Sequence, residues 1–130
     1  MNTVHFQIER HDSVKDIQER FSNLFPYVHL SFLTNKGDKK PNSRSATYCP
    51  EVKMIEINSK LRGGSFEISD EMTVSQLENR LYNQFGLRVQ VSRKSGNIWL
   101  ETHMTNDWAL KEQNDHGREI SKYLILPIHF

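Results

Sequence analysis

Apolar and polar residues alternate along residues 3–9, with Val4, Phe6 and Ile8 set against His5, Gln7 and Glu9. This is the pattern of a half-buried strand. The period then changes. Val14, Ile17, Phe21 and Leu24 recur at helical spacing. Ser13, followed three residues later by Asp16, is a capping box that marks the helix start, and Pro26 ends the segment. Val28, Leu30 and Phe32 then alternate with His29 and Ser31 as a second strand.

From Ser65 the same order returns. Phe66-Glu67-Ile68 echoes Phe6-Gln7-Ile8, 60 residues on, and Thr73-Val74-Ser75-Gln76 repeats the capping box. Val74, Leu77, Leu81 and Phe85 match Val14, Ile17, Phe21 and Phe25. Gly86 is placed to close the helix, because glycine accepts a left-handed backbone there. Leu87, Val89 and Val91 match Val28, Leu30 and Phe32 at an offset of 59. The pattern thus predicts an internal repeat, residues 3–33 and 65–92, within one domain spanning 1–130.

Outside the repeat the pattern is weaker. Residues 34–50 have no apolar period and read as a long polar loop. Residues 52–58 fit either a strand or a helical turn, and Gly63-Gly64 break the chain. After Val91 the copies diverge. Lys94-Ser95-Gly96-Asn97 reads as a tight turn with glycine at positive φ, and Ile98, Leu100 and Thr102 alternate with Trp99, Glu101 and His103 in a further strand. Thr105-Asn106-Asp107 supplies caps for a short helical turn over 108–114, and 115–121 is polar. Residues 123–130, YLILPIHF, read as a final strand covered on both faces, with Pro127 marking an edge.

Two strand–helix–strand units predict an α+β fold: one sheet with two helices on one face, in a ferredoxin-like arrangement. The alternative is a β-grasp, ubiquitin-like order over residues 53–130.

The run GLRVQVSRKSGNIWLETHMTNDWALKEQN (86–114), with the helix TVSQLE before it, resembles a family of small uncharacterised bacterial proteins. The resemblance covers about 50 residues of the second half. It implies a real domain and no assigned activity. The family's usual Thr-Leu after the turn tryptophan is replaced here by Ala109-Leu110.

Composition adds exclusions. The chain has 130 residues, with 17 basic and 16 acidic side chains, so net charge gives no general pull toward nucleic acid or membrane. A domain of this size folds without disulfide or metal. The lone Cys49 fits a reducing compartment, and no secretory leader or membrane-length apolar run is visible. A cytoplasmic protein is the expectation. No glycine-rich phosphate loop, dinucleotide fingerprint, nucleophile elbow or zinc spacing is present, which disfavours nucleotide-using and standard hydrolase chemistry.

The candidate site is the polar cluster of the second hairpin: Arg93, Lys94, Ser95, Asn97, Trp99, Glu101, His103, Thr105, Asp107 and Trp108. Tryptophan and arginine are common binding anchors, and Trp99, Glu101 and His103 are expected on one strand face. The same residues also fit an outer sheet face with no site. Three functions are in play. The first is a non-catalytic protein-binding module, self-associating as a homodimer through the C-terminal strand. The second is single-stranded nucleic-acid binding through the basic turns 36–44 (Lys36, Lys39, Lys40, Arg44) and 93–94. The third is a small-ligand enzyme using Glu101 and His103 as an acid–base pair. No cofactor or metal is expected, since His5, His11, His29, His103, His116 and His129 lack ligand spacing. Cys49 is an inert thiol unless a helix begins just beyond it.

Overall fold

The computed structural model describes residues 3–34 and 46–125, with side chains as far as Lys122. The alternating segments form strands and the capped segments form helices. Helix α1 is Val14–Leu24, where the Ser13 hydroxyl accepts the Asp16 N–H at 3.1 Å and the Asp16 carboxylate accepts the Ser13 N–H at 2.9 Å. Helix α3 is Val74–Phe85, capped in the same way by Thr73 and Gln76. Gly86 closes α3 at φ 67°, a conformation that costs glycine least. Reciprocal capping of this kind satisfies two otherwise orphaned amides at each helix start.

The described residues form an α+β fold with two antiparallel sheets and four helices. In one sheet, β1 (Thr3–Ile8) pairs with β3 (Gly64–Ser69), with Phe6 opposite Phe66. In the other, the order is β2 (Val28–Phe32), β4 (Val89–Ser95), β5 (Ile98–Glu101), with Ser31 opposite Gln90. The single ferredoxin-like sheet is therefore corrected. Period 2 fixes which face of a strand is buried but leaves its neighbour open. Here each strand pairs with its counterpart in the other segment, β1 with β3 and β2 with β4. The inner faces of both sheets, with α1 and α3, contribute to one apolar cluster that includes Phe6, Ile8, Phe21, Leu30, Phe66, Leu77 and Val91.

Residues 54–57 resolve as a one-turn helix, α2 (Met54–Ile57), with Met54 fully buried and the Lys53 N–H donated to the Glu56 carboxylate at 2.7 Å. The β-grasp alternative needed a strand there and is corrected with it. Each segment also receives a helix start in the same way. The Val14 N–H donates to the Val52 carbonyl at 2.8 Å, and the Val74 N–H to the Trp108 carbonyl at 3.2 Å. The Met54 N–H donates to the Asp12 carbonyl at 2.8 Å, and the Leu110 N–H to the Met72 carbonyl at 2.7 Å. Matching bonds thus continue beyond Val91, where the sequence pattern diverges.

Helix α4, Leu110–Ile125, is the largest departure from expectation. A short turn over 108–114 and a strand from 123 were expected; residues 123–125 instead end this helix, and the remainder of that strand, with Pro127, lies outside the described residues. The buried face of α4 explains the miss. Among the described side chains it runs Leu110, Gln113, Gly117, Ser121, at helical spacing but with one apolar side chain among these four. A hydrophobic-period search does not register such a stripe. Among the described residues, no helix is long and apolar enough to cross a membrane.

Candidate functional site

The β4–β5 hairpin turns on Gly96, whose φ of 64° meets the need of a two-residue loop. Serine 121 of α4 accepts the Gly96 N–H at 3.2 Å, which ties the turn to the helix. At its other end the ladder closes on Thr102. Its hydroxyl and its N–H both donate to the Val91 carbonyl, at 2.8 and 3.2 Å.

Strand alternation divides the predicted cluster between two faces. Toward α4 lies Arg93. Its guanidinium donates to Gln113 Oε1 at 2.8 Å and sits 5.3 Å from the centre of the Trp108 ring, which meets His116 edge-on at 5.5 Å. The fully buried Gln113 donates in turn to the Thr105 carbonyl at 2.8 Å and to the Thr105 hydroxyl at 2.9 Å. Burial pushes the Arg93 guanidinium below arginine's usual value, yet it stays charged at neutral pH. Arg93, Thr105 and Trp108 are thus brought together as the joint that holds α4 on the sheet. Gln113 is the centre of that joint and was absent from the sequence expectation. Its only sequence signal is the match of Gln113 to Ile57, a position that follows each helix start.

On the opposite face, Lys94 lies across from Trp99, with its Nζ 5.5 Å from the ring centre. His29 of β2 stacks on the same indole at 5.1 Å, with the planes tilted by 33°. Burial pushes the His29 imidazole below its ordinary value, so it is neutral at pH 7. Glu101 shares this face, and His103, in a 3-10 turn over His103–Thr105, approaches it at 4.0 Å. Both side chains are largely exposed. Neither lines any of the clefts described on the molecule. On α3, burial raises the Glu78 carboxyl above the usual range, and the nearby Val91 amide and His103 lower it only in part. Ser95 and Asn97 sit at the turn, and exposed Asp107 precedes Trp108. The cations of this turn each stand over a tryptophan; the other basic turn, 36–44, lies outside the described residues. His5 and His29 fall in different sheets, and among the described residues no group of three or more His, Cys, Asp or Glu side chains converges for a metal. Cys49 is exposed.

The remaining feature is the outer edge of β5. Ile98, Trp99 and Leu100 are 58%, 42% and 39% exposed, and Met104 beyond them is 84% exposed. Strand β5 ends its sheet, so among the described residues no strand pairs with that edge. The Thr102–Val91 bond sets the ladder alternation. It makes Ser92–Glu101 and Lys94–Trp99 the non-bonded pairs, which turns the backbone N–H and C=O of Trp99 and Glu101 outward.

No protein-family model, curated protein or solved structure matches the chain.

Proposed function

We propose that this chain is a non-catalytic protein-interaction module that binds by strand addition at the outer edge of β5, and that its partner is a second copy of itself. The observation that carries the reading is the coincidence of outward backbone groups at Trp99 and Glu101 with exposed apolar side chains on both faces of the same strand. A bare apolar edge is a template for another strand.

Charge favours self-pairing. If two β5 strands meet antiparallel about Leu100, Trp99 of each lies opposite Glu101 of the other. Each Glu101 carboxylate then approaches a Trp99 ring that already carries Lys94, and the two Leu100 side chains meet at the axis. Four residues of edge make a small interface, so the dissociation constant falls at roughly 1–100 µM. We also read residues 3–33 and 65–92 as copies of one unit. The support is their matched strand register and helix-start bonds.

Sedimentation velocity of the full chain from about 1 to about 500 µM, a range set by that estimate, tests the proposal. A reversible dimer is expected, and Leu100→Lys, which sets two like charges opposite each other, returns it to monomer. A species that stays monomeric throughout, or a dimer indifferent to Leu100→Lys, refutes the proposed interface.

A further inference from the structure

The two segments differ at the Asp12 position in a way that points to a second site, far from β5 in sequence; it is independent of the β5 interface and rests on the reading of the two segments as copies. In the first segment Arg20 of α1 donates to both oxygens of Asp12, at 2.7 and 2.9 Å, and to the Gln7 carbonyl at 3.0 Å. The Asp12 carboxylate also accepts the Glu9 N–H at 2.7 Å. One carboxylate is therefore held by a guanidinium fork and a backbone amide.

The corresponding residues 60 positions on are Arg80, Glu67 and Ser69, but Asp12 is matched by Met72. The second segment keeps the cation and loses the acid. Arg80 is exposed and has no hydrogen bond or ion pair among the described residues. Ladder alternation sets the backbone direction. Arg20 takes the Gln7 carbonyl and Gln84 takes the Ser65 carbonyl at 3.0 Å, so Gln7–Ser65 is a non-bonded pair. By alternation Thr3–Ser69 is another, and the Ser69 N–H points out of the ladder on the α3 side. Arg80 and Ser69 line the same two adjoining clefts, of about 430 and 510 Å³.

We propose that Arg80 and the Ser69 amide form a binding site for an external carboxylate, which takes the place that the Asp12 side chain occupies in the first segment. The fork geometry of arginine suits a planar carboxylate held by two oxygens. Glu67, whose side chain lies 3.9 Å from His5, and Glu71 line the clefts as well. Their charge disfavours a phosphate dianion and leaves a singly charged group as the matching ligand. Its source is either a small free acid or the C-terminus of a peptide.

The test is an amide and arginine Nε–H NMR titration of the full chain, with chloride at matched ionic strength as control. The probes are sodium acetate, triglycine, triglycine amide and inorganic phosphate. Saturable shifts at Ser69 and Arg80 with acetate or triglycine are expected. Arg80→Gln weakens them roughly ten- to hundredfold, the loss of a charge-assisted pair. Met72→Asp abolishes them, because an internal carboxylate then fills the fork. Triglycine binding much tighter than its amide identifies a peptide terminus; equal binding of acetate and triglycine identifies a small acid. No shift beyond the chloride control, a shift unchanged in Arg80→Gln, or a stronger response to phosphate overturns the assignment.

Discussion

Replacing Gln113 by leucine keeps side-chain volume and removes the polar centre of the joint between α4 and the sheet. Gln113 is fully buried and makes three hydrogen bonds: one from Arg93 at 2.8 Å, one to the Thr105 carbonyl at 2.8 Å, one to the Thr105 hydroxyl at 2.9 Å. The bond to a charged partner contributes about 1.5–3 kcal/mol, and the neutral ones about 0.5–1.5 kcal/mol each. Burying the leucine returns about 1.5–3 kcal/mol. Water reaches the partly exposed Arg93 and softens the loss. The net destabilisation is about 2 kcal/mol. Urea unfolding at neutral pH, followed by tryptophan fluorescence and circular dichroism, reads it directly. With a urea slope of about 1.5 kcal/mol/M, the midpoint falls by about 1.3 M. Arg93→Met and the double variant complete a cycle in which the coupling is at least about 1 kcal/mol. A loss below about 0.5 kcal/mol for Gln113→Leu, or an additive double variant, refutes the claim that this polar joint holds α4 in place.

Two further outcomes follow from the same packing. At Gly117 a Cβ would stand 3.0 Å from Arg93 Cγ, 3.0 Å from Tyr27 Cβ and 3.2 Å from the Lys94 carbonyl oxygen. Gly117→Ala therefore loses about 1 kcal/mol in a thermal or urea melt, despite the better helix propensity of alanine; a stabilised variant contradicts the close approach. Burial raises the Glu78 carboxyl, the Val91 amide and His103 lowering it only in part. A carboxyl whose folded value lies above its unfolded value contributes stability that is full below the unfolded value and is lost as pH rises through the folded one. Glu78→Gln is thus more stable than the parent at pH 7, with the difference closing below about pH 4; equal melts at both pH values contradict it.

The elements that were legible in the sequence are those whose buried face is apolar. Val14, Ile17 and Phe21 in α1, and Val74, Leu77, Leu81 and Phe85 in α3, are all buried, and both capping boxes form. The positive φ at Gly86 and Gly96 also follows from glycine's place in the pattern. The length of α4 was hidden because, past Leu110, its described inner face is built from Gln113, Gly117 and Ser121, whose burial rests on hydrogen bonds and close approach rather than on hydropathy. Sheet order was hidden for a different reason. An alternating strand records its own inner face and carries no mark of its neighbour. The candidate cluster gathers the polar residues of one hairpin, but Arg93 and Lys94, adjacent on a strand, go to opposite faces. The pairings of Lys94 with Trp99 and of Arg93 with Trp108 are tertiary facts, set by register and by the return of α4.

The two segments agree where packing leaves no choice and differ where solvent does. Val14 and Val74, Ile17 and Leu77, Phe21 and Leu81, Phe25 and Phe85, and Met54 and Leu110 are buried in both. Removing such side chains costs about 2–5 kcal/mol each, so the fold tolerates only apolar exchanges there. The fork around Arg20 lies outside that apolar cluster, with the Arg20 side chain 40% and the Asp12 side chain 12% exposed, so replacing its acid opens no cavity in the core. Exchange of Asp12 for Met72 at the matching position is therefore tolerated by the fold, and it changes the surface from self-satisfied to reactive toward an anion. The same reasoning applies at the hairpin. Strand β5 and its exposed Ile98, Trp99 and Leu100 stand where, among the described residues, the first segment has a bridge between Leu33 and Thr47. Burial does not require apolar side chains at those three positions, so their presence on an edge is better explained by something that covers them, and the Leu100→Lys experiment asks whether that something is this chain.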